Sequence, residues 1–222
     1  MLSDLLLIAG VAITIFAQVR ITSAYNKYKK VQNKRKISGF EVAKEILDKN
    51  GLSNVYVTEA KGELTDCYVS DRKVIRLSTD IFHGTTIASA SVAAHEVGHA
   101  IQDKENYSYM RLRHSLFPIV NFCSYAGYIA ILIGVFFNSG KLMWLGIGLE
   151  LVILFFQLIT LPVEFDASRR AEEQLLKNNL LDKSEVDSSK KVLGAAAFTY
   201  VASVLTTLFQ IFRLILSASR RD

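Results

Sequence analysis

The sequence predicts a mainly helical α+β membrane protein with about four transmembrane helices. Three observations predict it. Half of the 222 residues are hydrophobic and the mean hydropathy is +0.25, high for a soluble chain. Four apolar runs are long enough, or nearly so, to cross a bilayer. Between the first and second runs lies a polar segment patterned as strands and helices.

The first run, LLLIAGVAITIFAQV at 5 to 19, is preceded by Asp4 and followed by Arg20. That charge order is the reverse of a cleaved secretory signal, so residues 1–19 read as an uncleaved N-terminal anchor. Residues 20–114 form the polar segment. Within it, FEVAKEILDKNG spaces Phe40, Ala43, Ile46 and Leu47 on one helix face, with Gly51 as a stop. Ser38 and Glu41 have the spacing of a capping box in front of it. VYVTEAKGELTDCYVSDRKVIRLS, 55 to 78, reads as strands with turns at Gly62 and SDRK. TDIFHGTTIASASVAAHEVGHAIQD then turns helical, packing Ser89, Ala90, Val92, Ala93, Ala94 and Val97. Residues 115–163 read as a transmembrane hairpin whose two runs are joined at NSGK. Residues 164–191 are polar and helical. Residues 192–222 hold the fourth run and a tail.

Charge sets the expected topology. The net charge is +5, but the basic residues concentrate in YNKYKKVQNKRK, just after the first run. No nucleic-acid motif accompanies them, which excludes a nucleic-acid partner and leaves the lipid bilayer. The segment 20–114 carries 16 Lys+Arg and the segment 164–191 carries 6. The positive-inside rule puts both in the cytosol. The tail residues Arg220 and Arg221 argue mildly the other way. Two cysteines, Cys67 and Cys123, support neither a disulfide framework nor a cysteine-based zinc site. Glu150 lies mid-run in the third apolar stretch. It reads as a functional candidate or as a protonated acid hydrogen-bonded between helices.

The chemistry concentrates in AAHEVGHAIQ, 93 to 102. Residues four apart share one helix face, so His95 and His99 can aim ring nitrogens at one ion. Glu96 is turned about 100° away, placed to reach a water without binding the metal. This is the H-E-x-x-H arrangement of a zinc hydrolase, with two ligands and a general base. A catalytic zinc needs a third protein ligand. Glu164, taken to begin a new helical pattern after Pro162, ranks first; Asp166 is second and His114 third. The plainer account of Glu164 is a helix N-terminal acid favoured by the macrodipole. His83, twelve residues upstream, is expected on a loop.

AAHEVGHAIQ followed by an apolar hairpin and LPVEFDASRRA resembles the YugP-type family of bacterial membrane zinc metallopeptidases. The resemblance extends over nearly the whole chain through GELTDCY, KVIRLS and KKVLGAAAFTYVA. More distantly the chain is similar to HtpX and the CAAX prenyl proteases, which carry a downstream E-[FY]-x-A-D ligand motif. EFDAS matches it at Glu164, Phe165 and Ala167. Ser168 stands where those relatives have an aspartate that supports a zinc-site histidine, which leaves that contact open, though not Glu164 itself. The resemblance implies a zincin-like peptidase domain, Zn2+ held by His95, His99 and Glu164, and Glu96 as the base.

The expected reaction is amide hydrolysis at the cytoplasmic membrane surface, on peptides or membrane-protein segments. Arg111, Arg113, His114 and Tyr107 are near enough in sequence to stabilise an oxyanion. KVIRLS is expected to pair with an extended substrate by strand addition. The competing readings are an intramembrane protease, disfavoured by DKEN directly after the motif, and a non-catalytic membrane scaffold or regulator, disfavoured by the intact Glu96. A transporter rests only on Glu150 and the polar end of the fourth run. Substrate, oligomeric state and any partner protein are not written in the sequence.

Overall fold

The apolar runs become long helices in a computed structural model that describes residues 1–219. The tail cations Arg220 and Arg221 lie outside the described residues. In chain order, α1 (Leu2–Tyr28) and α2 (Gly39–Lys49) lead into β1 (Tyr56–Ala60), β2 (Cys67–Val69) and β3 (Val74–Ser78). Then come α3 (Thr79–His83), α4 (Ile87–Lys104), α5 (Ser108–Phe136), α6 (Gly140–Lys177) and α7 (Lys183–Ala218). The fold is mainly helical with one small sheet. Helices α1, α5, α6 and α7 are each long and apolar enough to cross a membrane.

The chain divides into two compact units. One comprises Met1–Val19, Arg111–Pro162 and the described residues from Phe198 onward. Its core is aliphatic, built on Met143, Ile147, Leu154, Val204 and Ile211. Glu150 accepts a hydrogen bond from the Gln210 amide at 3.2 Å, so this mid-run acid has a polar partner on a neighbouring helix.

The other unit comprises Arg20–Met110 and Val163–Ala197. The capping box forms as the spacing predicts: the Glu41 amide donates to Ser38 Oγ at 3.2 Å and the Ser38 amide to the Glu41 carboxylate at 2.6 Å. Val42, Ala43, Ile46 and Leu47 of α2 are buried, as are Ile75 and Leu77 of β3 and Ala90, Ala93, Ala94 and Val97 of α4. Val42 is missing from the predicted face, and Phe40 is only half-buried. Each buried valine, leucine or isoleucine contributes about 1.5–3 kcal/mol. A second capping box starts α7: Asp182 accepts from the Glu185 amide, and Glu185 from the Asp182 amide, both at 2.9 Å.

Three expectations need correction. KVIRLS does not present an open edge: β3 is the middle strand, parallel to β1 and antiparallel to β2. Both sides of its backbone are already paired, so strand addition there is excluded. Glu164 does not begin a helix. Helix α6 runs through Pro162, although an interior proline costs a helix about 3 kcal/mol. The macrodipole account of Glu164 therefore fails. His83 is not on a loop but ends the short helix α3, exposed and 3.4 Å from Glu59.

Candidate metal centre

Helix α4 supplies three side chains and α6 the fourth, all within one unit. Thr86 caps α4, accepting from the Ser89 amide at 3.1 Å. The small residues Ala90, Ala93 and Ala94 let neighbouring elements approach closely, and Gly98 takes this furthest. A Cβ at Gly98 would stand 2.6 Å from the Ala167 carbonyl oxygen of α6. Because Gly98 has no side chain, the turn bearing His95 and His99 lies directly against the turn bearing Glu164.

His95 Nε2 is 3.4 Å and His99 Nε2 is 3.6 Å from Glu164 Oε2. The two imidazole rings stand nearly perpendicular, 84° apart, with centroids at 4.8 Å. One donor atom from each of His95, His99 and Glu164 lies within 4.8 Å of the others. The side chains are 16%, 10% and 4% exposed, so the donors face an enclosed point. Two imidazole nitrogens and a carboxylate are the donor set of a hydrolytic zinc site.

The outer ring nitrogens decide which tautomer each histidine adopts. Gln102, fully buried, donates its amide nitrogen to the Val163 carbonyl at 2.8 Å and to Asp166 at 2.9 Å. Its oxygen is left facing His99 Nδ1 at 3.0 Å. Only a protonated Nδ1 can satisfy that oxygen, which leaves the Nε2 lone pair pointing at the ligand cluster. Ser168 Oγ stands 3.3 Å from His95 Nδ1 and can do the same there. Ser168 therefore keeps contact with the histidine, through a neutral oxygen. Gln102 closes the AAHEVGHAIQ stretch, yet nothing in its spacing assigns it a role.

Asp166 is not part of the donor cluster. It accepts from Gln102, Arg169 and Arg170. Burial pushes its carboxyl up, but these hydrogen bonds outweigh that and hold it below the usual range. Its effect on the centre runs through Gln102. His114, the third-ranked ligand, is outside the cluster as well. Burial pushes the Tyr107 hydroxyl above its ordinary range, and the charge of Asp166 adds to this.

Glu96 is 7% exposed. Burial pushes its carboxyl up to about 7, the negative charges of Glu164 and Asp66 add to this, and His95 and a hydrogen bond from the Tyr68 amide oppose it. Tyr68 is held in turn. Its hydroxyl donates to Asp103 at 2.6 Å, and Ser70 and Lys73 donate to the same carboxylate oxygen at 2.8 and 2.6 Å. Asp103 lies near the end of α4, so this knot ties β2 to the helix that carries the histidines.

A family model described as "Putative neutral zinc metallopeptidase" matches residues 4–219. The chain belongs to this family. It is also 44% identical over 216 residues to "Putative membrane protease YugP" of Bacillus subtilis (strain 168), covering 97% of this chain and 96% of that one. No solved structure gives a significant match. Family membership implies zinc, and the His95, His99 and Glu164 donors fit it in number, chemistry and burial.

Proposed function

We propose that the protein is a zinc-dependent membrane peptidase that hydrolyses peptide bonds at the cytoplasmic membrane surface. The observation that carries this reading is the convergence of His95, His99 and Glu164 beside the buried Glu96. In this reading the two imidazole Nε2 atoms and the Glu164 carboxylate hold the ion. Bound there, zinc lowers the pKa of a water to about 7 and polarises the scissile carbonyl.

The remaining steps belong to the chain. Glu96 accepts a proton from the attacking water and delivers it to the departing amine nitrogen. Both transfers need a carboxyl whose affinity for protons lies near neutrality, and the buried surroundings of Glu96 favour that. The Tyr68 amide fixes where the carboxylate points. Gln102 and Ser168 hold the ligand rings in register, with Nε2 directed inward. The low exposure of the donors keeps bulk water from the reacting centre.

The cytoplasmic side follows from the basic segments 20–114 and 164–191. Substrates are then peptides or membrane-protein segments close to the bilayer. The edge strand beside α4 is β2, not β3, so an extended substrate would lie along β2. Glu96→Gln should abolish peptide hydrolysis while the protein still binds about one zinc per chain. Hydrolysis that survives Glu96→Gln would remove Glu96 from the mechanism, and an inactive wild type with zinc bound would favour the scaffold reading.

A further inference from the structure

A second constellation lies away from the metal centre, where α1 and α7 change from apolar to polar. Arg20 directly follows the first apolar run, and Lys27 lies about two turns further along α1. Lys190 and Lys191 directly precede the fourth run. These four cations line one open cleft of about 700 Å³, together with a single carboxylate, Asp187. Four positive side chains and one negative line the cleft, so its lining is basic, with Glu172 also close enough to feel the charge of Lys190. Asp187 is 3.6 Å from Lys190, with both side chains more than half exposed, so their pairing neutralises little. The cleft stays open at Gly194, where a Cβ would meet nothing within 4 Å.

The position of the charge identifies its partner. Both helices pass from apolar to polar sequence at this cleft, the level at which phospholipid phosphates lie. Basic pockets between membrane helices on the cytoplasmic side bind acidic lipid headgroups. Metabolite anions would need no such placement. We propose that this cleft binds the phosphate-bearing headgroup of an anionic phospholipid. Arg20 and Lys27 would reach it from α1, Lys190 and Lys191 from α7, and the lipid would hold the two helix ends together.

The test uses the full chain in neutral detergent, with phosphatidylglycerol or phosphatidylcholine added and bound lipid read by native mass spectrometry. Phosphatidylglycerol should be retained and phosphatidylcholine should not. Each lysine near a membrane surface strengthens binding about fivefold, so Lys190→Gln with Lys191→Gln should weaken retention about 25-fold. Gly194→Leu keeps every charge and narrows the cleft at its open wall; it should also weaken retention of the lipid, with helical content and bound zinc unchanged. Equal retention of the two lipids would overturn the proposal, as would lipid binding untouched by both variants. Inorganic phosphate that displaces phosphatidylglycerol at equal concentration would mark a site for soluble anions and overturn it too. Zinc content, measured on the same samples, separates a failure here from a failure of the peptidase reading.

Discussion

Replacing Gln102 by leucine tests whether the metal centre depends on its supporting hydrogen bonds. The side chain is fully buried and makes three of them, to His99 Nδ1, the Val163 carbonyl and Asp166. Leucine is close in volume, so little cavity opens and the cost is polar. Asp166 keeps Arg169 and Arg170 as donors. The Val163 carbonyl lies inside α6, where the helix ladder can still use it. The His99 Nδ1–H loses Gln102 Oε1 as its acceptor, and an unpaired buried N–H costs about 1–3 kcal/mol. Loss of such a partner typically lowers metal affinity about 10–100-fold, or roughly 1.4–2.8 kcal/mol. Zinc affinity of Gln102→Leu should therefore fall by that factor in a competition titration against a chromophoric chelator. A thermal melt of the metal-free protein checks that the fold survives. Unchanged zinc affinity in a folded variant would refute the role assigned to Gln102.

Gly98→Ala drives a methyl group into the Ala167 carbonyl at 2.6 Å; overpacking of this kind costs about 1–3 kcal/mol, and the separation of α4 from α6 should appear as a lower melting temperature together with weaker zinc binding. Ser168→Ala removes the oxygen 3.3 Å from His95 Nδ1 and should weaken zinc binding by up to about tenfold, whereas Ser168→Asp offers a charged acceptor there and should bind zinc at least as tightly as wild type in the same titration. Burial pushes the Asp103 carboxyl up, but hydrogen bonds from Lys73, Tyr68 and Ser70 prevail and hold it below the usual carboxylate range. Its stabilising contribution is therefore complete above about pH 4 and is lost as the pH falls through the lowered value. Asp103→Asn should be less stable than wild type to denaturant at neutral pH, and the difference should shrink toward zero in acid.

The sequence carries the α2 capping box, the turn after β2 and the H-E-x-x-H helix because each is a local pattern of side chains on one element. Glu164 was also within reach, since an apolar hairpin that crosses a bilayer twice would return the chain to the side it left. What lay beyond sequence reasoning depends on contacts between elements. The order of strands in the sheet is fixed by packing, so the hydrophobic KVIRLS strand, which looked available for pairing, proves to be the central one. Pro162 looked like a helix boundary, yet a proline's local cost is small beside the packing of a long apolar helix. Gln102 gave no signal because its importance comes from three partners, two of them on another helix. Ser168 breaks the E-[FY]-x-A-D pattern in sequence, yet in space its hydroxyl puts an oxygen beside His95 Nδ1.

Whether His95, His99 and Glu164 together hold one catalytic zinc is decided by measuring bound metal in purified wild type, Glu164→Ala and Glu96→Gln. The geometry predicts about one zinc per chain in wild type and in Glu96→Gln, with a large loss in Glu164→Ala. Full zinc retention in Glu164→Ala would contradict the three-residue site, and no zinc in any sample, even after it is added back, would contradict the metal centre itself.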